Sequence, residues 1–178
     1  MHRLTRLFYC CLLLASCSKD TDRANNLPQD EFIQAYFNHR ETQGQTYIDP
    51  YRQIERPGDN LEAIIIEEIA TAQSSIELAV YELNLPLVAQ ALAEKHRDGV
   101  EVRVILDNDY SQSFTELSSA EISQLNQRDR QKYEQLWQLI DLNQDQQLSS
   151  TEVAQQDALT ILKQAGVSLI DDTADGSK

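Results

Sequence analysis

The sequence predicts an α/β fold in which a partial parallel sheet, built around a βαβ unit, is interrupted by an α-helical insertion. Three observations predict it. Residues 61–72 repeat apolar side chains at helical spacing. Residues 76–81 and 100–106 alternate side by side with a proline-opened helix between them. After a Gln-rich helical stretch, Gly166-Val167-Ser168-Leu169-Ile170 returns to strand character. A chain of 178 residues has room for one compact domain and one small insertion.

The amino end is read apart from the fold. Arg3 and Arg6 precede the apolar run Leu7 to Leu14, which is too short to cross about 30 Å of hydrocarbon and reads as an export signal over residues 1–16. Leu14-Ala15-Ser16-Cys17 resembles the bacterial lipobox, and the resemblance implies cleavage before Cys17 and acylation of that cysteine, a lipid attachment to the membrane. A plain secretory signal with another cleavage site is the other reading. All three cysteines, Cys10, Cys11 and Cys17, lie here, so a processed, acylated chain has no disulfide partners and relies on its core and on metal. Residues 17–44 are polar and read as a tether, with Phe32 to Phe37 left open between a short helix and a strand.

Residues 45–112 carry the first part of the sheet. Pro57-Gly58-Asp59 is a break, and Asp59 or Asn60 caps the helix beginning at Leu61. Leu61, Ile64, Ile65, Ile69 and Ala72 form an apolar helical stripe, with Glu62, Glu67 and Glu68 on the solvated face. Ile76, Leu78 and Val80 mark a strand. Pro86 opens a helix through about Arg97, and Gly99 stops it where a left-handed residue is favoured. Val100, Val102, Val104 and Leu106 mark the next strand, parallel to the first through a right-handed crossover. No Gly-rich phosphate loop comes after the first strand, so a dinucleotide fold lacks its signature. Asp107-Asn108-Asp109 ends the second strand, as a catalytic group or as a solvated acidic turn. Residues 113–164 are the helical insertion and 165–178 the return strand.

Charge narrows the function. Fifteen Lys and Arg against 29 Asp and Glu give −14, which excludes a general binder of nucleic acid or anionic membrane and favours divalent cations or simply a solvated surface. Within the insertion, residues 141–152 read Asp-Leu-Asn-Gln-Asp-Gln-Gln-Leu-Ser-Ser-Thr-Glu. Oxygen ligands fall at positions 1, 3, 5, 7, 9 and 12: Asp141, Asn143, Asp145, the carbonyl of Gln147, Ser149 and Glu152. This resembles an EF-hand loop, with Leu148 as its apolar anchor. Tyr133, Leu136, Trp137 and Ile140 lie on the entering helix, and Val153, Leu159 and Leu162 on the leaving one. The expected cofactor is Ca2+. Position 6, where the backbone takes positive φ and glycine is usual, holds Gln146. That costs roughly 1 kcal/mol, about fivefold in affinity, which places binding on the order of 10⁻⁵–10⁻³ M. The other reading is a polar helix–turn–helix without metal.

A second resemblance covers the sheet. Ile65-Ile66-Glu67-Glu68-Ile69-Ala70, Ala72-Gln73-Ser74-Ser75-Ile76-Glu77-Leu78-Ala79-Val80-Tyr81, Leu87-Val88-Ala89-Gln90-Ala91-Leu92 and Arg97-Asp98-Gly99-Val100-Glu101-Val102-Arg103-Val104-Ile105-Leu106-Asp107 succeed one another as in the opening of a phospholipase D-like (HKD superfamily) domain. Ala165 to Asp172 is similar to the strand before that family's catalytic segment. The resemblance implies phosphodiester hydrolysis through a phosphohistidine, with a second histidine as acid and lysines on the phosphate oxygens. The family carries these in His-x-Lys-x4-Asp, and this chain has no such motif: His2, His39 and His96 are followed by Arg3-Leu4, Arg40-Glu41 and Arg97-Asp98. His39 and His96 read as surface residues.

The expectation is therefore a calcium-binding, lipid-anchored N-terminal portion of a phospholipase D-like phosphodiesterase, truncated before its motif and inactive alone, with exposed apolar sheet faces. Its substrate in a complete enzyme would be a phosphodiester, lipid rather than nucleic acid given the acidic tethered chain. The alternative is a non-enzymatic EF-hand surface lipoprotein, periplasmic or on the cell surface.

Overall fold

A computed structural model describes residues 30–38 and 46–171. The signal segment, Cys17, His2, His39 and the tail from 172 lie outside the described residues.

The first described pairing is a small antiparallel hairpin, β1 (Thr46–Ile48) with β2 (Glu55–Pro57). Its turn is closed by Asp49, whose Oδ1 accepts the amides of Tyr51 and Arg52 (3.0 Å each) and whose Oδ2 accepts Arg56 Nε at 2.7 Å. Three-residue strands with no apolar alternation carry no periodic signal, so the hairpin is not among the elements expected from the sequence. Phe32 to Phe37 forms neither helix nor strand; Asn38 bridges to Gly58 and the Phe37 amide donates to Asp59 Oδ2.

The βαβ unit is built as expected. Helix α1 (Leu61–Thr71) is capped by Asn60, whose side chain accepts from the Ala63 amide. It leads to β3 (Ser75–Val80), α2 (Pro86–Arg97) and β4 (Glu101–Leu106), with Gly99 at φ +92 ending α2. β5 (Ser168–Asp171) adds to β4, so the parallel sheet has the order β3-β4-β5. Period two decides its faces. Val102, Val104 and Leu106 of β4 are buried, flanked by Ile76, Leu78 and Val80 on β3 and by Leu169 on β5. That face meets α1, α2 and α6 (Ala158–Ala165), where Ile69, Val88, Leu92, Leu159 and Leu162 complete the core. The opposite face carries the Glu77–Arg103 ion pair and leaves Ile105 and Ile170 over two-fifths exposed.

Helix α1 corrects two details. Ile65 is exposed while Ile66 packs on the core, because Ile66 and Ile69 are three apart on one face. Glu62, expected in solvent, lies on that same side, half-buried.

Between β4 and β5 stand two 3₁₀ turns (Asn108–Tyr110 and Phe114–Glu116), α3 (Ser119–Gln124), α4 (Gln127–Ile140) and α5 (Ser150–Gln156). The helix leaving residues 141–152 is not continuous. It breaks at Asp157, which turns to an extended ψ of 112° and caps α6 through the Thr160 amide. α5 therefore stays with the insertion, whereas α6 packs against α2 and the sheet as the crossover helix. At the neck of the insertion, buried Ser113 donates to Asp157 Oδ2 at 2.5 Å.

Candidate functional site

Residues 141–152 lie between the last turn of α4 and the first of α5, whose ends are set by local chemistry. Ser149 and Glu152 form a capping box: the Ser149 hydroxyl accepts the Glu152 amide, and Glu152 Oε2 accepts the Ser149 amide (2.9 Å) and hydroxyl (2.7 Å). The Ser149 hydroxyl and amide hold the Glu152 carboxyl below its usual range. Gln146 has φ +64 and Gln144 φ +57, so the backbone turns left-handed at the sixth loop residue without a glycine.

The expected ligand residues engage the loop's own amides. Asp141 Oδ1 accepts from Asp145 N (3.2 Å) and Oδ2 from Gln146 N (3.0 Å). Asn143 Oδ1 accepts from Asp145 N, Asp145 Oδ1 from Gln147 N, and Glu152 Oε1 from Asn143 N. Asp141 and Glu152 are buried, while Asn143, Asp145, Gln147 and Ser149 are exposed. Among the described residues no three His, Cys, Asp or Glu side chains form a metal-holding group. The donor set itself is all oxygen, the chemistry of a hard cation, and a carboxylate that accepts one amide keeps lone pairs for a ligand.

The carboxyl end of the sheet is the second region of interest. Asp107 caps the first 3₁₀ turn by accepting the Asp109 amide at 2.9 Å, the arrangement of a solvated acidic turn. Beside it the rings of Tyr81 and Tyr110 meet at a tilt of 51° with centroids 4.7 Å apart, and Lys132 of α4 lies over the Tyr110 ring while bonding Glu82 at 2.5 Å. His96 stands away from this end, on the last turn of α2; it is half-buried rather than a surface residue, and its Nδ1 is buried without a hydrogen-bond partner.

A cleft of about 430 Å³ opens between the hairpin, the start of α1, the β3–α2 junction and the insertion. Its polar floor is a chain of pairs that sequence reasoning missed. The Tyr51 hydroxyl donates to Glu62 and accepts weakly from the Leu87 amide at 3.5 Å. Burial pushes both Tyr51 and Glu62 up; the shared hydrogen bond adds to the rise at Tyr51 and partly offsets it at Glu62. For Asp49, burial is outweighed by the Arg52 amide, the Arg56 side chain and the Tyr51 amide, which hold its carboxyl low. The one local signal was Asp49-Pro50, a turn opener. Lys132, Leu136, Leu139 and Ile140 of α4 and Gln156 of α5 supply the far wall, so the insertion forms part of the cleft.

Comparison with known proteins gives the family. Over 46 residues the chain is 46% identical to a mitochondrial cardiolipin hydrolase of Xenopus laevis, a stretch amounting to 26% of this chain and 22% of that protein. The match therefore spans about a fifth of the length of that curated relative. No solved structure matches the chain. The family described as "Cardiolipin synthase, PLD-like domain" matches residues 65–169, from α1 through the parallel strands and the insertion into β5. That range is more than half of the 178 residues, and the chain belongs to the phospholipase D-like domain family.

Proposed function

We propose that this chain is the calcium-binding, lipid-anchored portion of a phospholipase D-like phosphodiesterase, and that it does not hydrolyse phosphodiesters by itself. The observation that carries the reading is the family match across 65–169 in a sequence where no histidine is followed two residues on by lysine. The scaffold is that of a phosphodiesterase, and the phosphohistidine chemistry has no nucleophile of the family's kind here. A lipid phosphodiester is the proposed substrate of the complete enzyme, since a chain tethered at Cys17 would stand at a lipid surface while its net charge of −14 repels nucleic acid in solution.

Calcium enters through Asp141, Asn143, Asp145, the Gln147 carbonyl, Ser149 and Glu152. The left-handed turn at Gln146 and the burial of Asp141 and Glu152 support this EF-hand reading. Bound metal would hold α4 and α5 together from their facing ends. Anchoring enters through Cys17, on the Leu-Ala-Ser-Cys motif behind a positively charged apolar segment. This implies export and attachment to a bacterial membrane.

Two measurements test the proposal. The 178-residue chain should show no turnover of bis-p-nitrophenyl phosphate or of cardiolipin micelles, and sustained hydrolysis would overturn the assignment. Calcium titration by calorimetry should give a single site that Glu152→Gln weakens at least about tenfold, since the bidentate carboxylate is lost; equal binding by the two removes the calcium site.

A further inference from the structure

We propose that Phe32, Ile33, Tyr36 and Phe37 form a membrane contact of the protein's own, docking on the headgroup layer of a zwitterionic bilayer. The inference rests on the lipid anchor at Cys17 proposed above, which would bring this segment to that surface.

Phe32 is 87% exposed, Ile33 72%, Phe37 50% and Tyr36 40%, four large apolar side chains within six residues. Single exposed apolar residues are ordinary on a protein surface, but a contiguous run of them marks an interaction site. The run is fixed at both ends. Asp30 Oδ1 accepts the amides of Phe32 at 2.8 Å and Ile33 at 3.2 Å, which turns the chain where the run begins. Where it ends, the Phe37 amide donates to Asp59 Oδ2, the Phe37 carbonyl accepts the Asp59 amide at 2.9 Å, and Asn38 bridges to Gly58. The four side chains are thus carried on the hairpin end of the domain.

Place along the chain names the occupant. Only 13 residues separate Cys17 from Asp30, a reach of at most about 45 Å when fully extended. An apolar run confined that close to a bilayer meets it at high effective concentration, so a modest affinity suffices. The anchor holds the chain near the surface, and the run decides which part of it touches. The chemistry fits the headgroup layer. Tyr36 offers an amphipathic ring suited to that level, and its hydroxyl donates to Gln34. The amides of Phe32, Ile33 and Phe37 are already bonded, so these side chains can leave water without stranding their own N–H groups. Residues 30–38 include Asp30 and Glu31 and no Lys or Arg, which disfavours an anionic surface and favours a zwitterionic one.

The test uses the full chain, expressed in bacteria and mixed with phosphatidylcholine vesicles, plain or brominated on their acyl chains. Trp137 is the only tryptophan, so Trp137→Phe combined with Phe32→Trp puts the single indole in the run. Trp137→Phe combined with Ile105→Trp puts it on the exposed sheet face for comparison. The indole in the run should shift to the blue on adding vesicles and be quenched by brominated lipid, and the sheet-face indole should do neither. Phe32→Ser with Ile33→Ser, at two exposed positions, should weaken vesicle partition about tenfold while leaving thermal unfolding unchanged. Any of four results would overturn the proposal: no quenching in the run at saturating lipid, equal quenching at the two positions, unchanged partition of the serine variant, or a blue shift that grows with protein concentration without lipid, which would mean that a second copy covers the run. Whole-protein mass reports acylation of Cys17 separately. An unacylated chain with a quenched indole removes the anchor and keeps the contact, and an acylated chain with an unquenched one does the reverse.

Discussion

Replacing Asp157 by alanine should loosen the neck of the insertion and destabilise the chain by about 2.5–4 kcal/mol. The carboxylate does two things at once. Its Oδ1 accepts the Thr160 amide at 2.7 Å and caps α6, and removing such a cap costs about 1 kcal/mol. Its Oδ2 accepts the Ser113 hydroxyl at 2.5 Å and the Thr115 hydroxyl at 3.3 Å, and a hydrogen bond to a charged group is worth about 1.5–3 kcal/mol. Burial makes the loss count in full, since Ser113 is 2% exposed and its hydroxyl cannot turn to water. Asp157→Asn keeps an acceptor oxygen for the cap and should cost only about 1–2 kcal/mol. Ser113→Ala should fall between the two. Urea denaturation monitored by Trp137 fluorescence, which reports α4 of the insertion, and by far-UV circular dichroism reads all three variants. A cost below about 1 kcal/mol for Asp157→Ala, or strict additivity with Ser113→Ala in a double-mutant cycle, would refute the neck argument.

Three further outcomes are expected. Asp49 has a lowered folded pKa, so its contribution is present above its unfolded value near 3.9 and is lost as pH falls through the lower folded value; the unfolding midpoint should drop more steeply below about pH 4 in the wild type than in Asp49→Asn. Gly99 sits at φ +92, and Gly99→Ala should cost about 1–2 kcal/mol in urea denaturation, with no loss expected only if the turn re-forms elsewhere. Gln146→Gly relieves a left-handed side chain and should tighten the proposed calcium binding up to about fivefold by calorimetry; unchanged affinity would mean that the turn at position 6 does not limit it.

The parts of the fold legible in the sequence were those that depend on neighbours along the chain. The run from Leu61 to Leu106 repeats at 3.6 and then at 2, and Pro86 and Gly99 punctuate it, so α1, β3, α2 and β4 emerge directly. The left-handed turn at Gln146 is equally local; the capping box at Ser149 and Glu152 is local too, yet the sequence reading marks both residues as ligands alone. The hairpin was not legible, because Thr46–Ile48 and Glu55–Pro57 are held by Asp49 reaching to Arg56 rather than by a pattern. Glu62 was misread for the same reason: its partner Tyr51 lies eleven residues away on another element. The break between α5 and α6 carries no glycine or proline, only an aspartate whose second partner, Ser113, is 44 residues distant. Apart from the turn opener Asp49-Pro50, the cleft is made of such meetings, so its walls did not announce themselves in one stretch of sequence.

The adjacency of β4 and β5 has a polymer consequence. About 60 residues separate Leu106 from Ser168, yet the two strands are hydrogen-bonded neighbours in register. Closing a flexible chain of that length rather than a minimal crossover of about a dozen residues costs only about 1.4 kcal/mol, because closure entropy grows with the logarithm of length. A three-stranded sheet backed by α6 can absorb that. Residues 113–156 could therefore melt and re-form as a unit while β5 stays paired, which gives the insertion a stability of its own, adjustable by what binds it and separable from that of the sheet it interrupts.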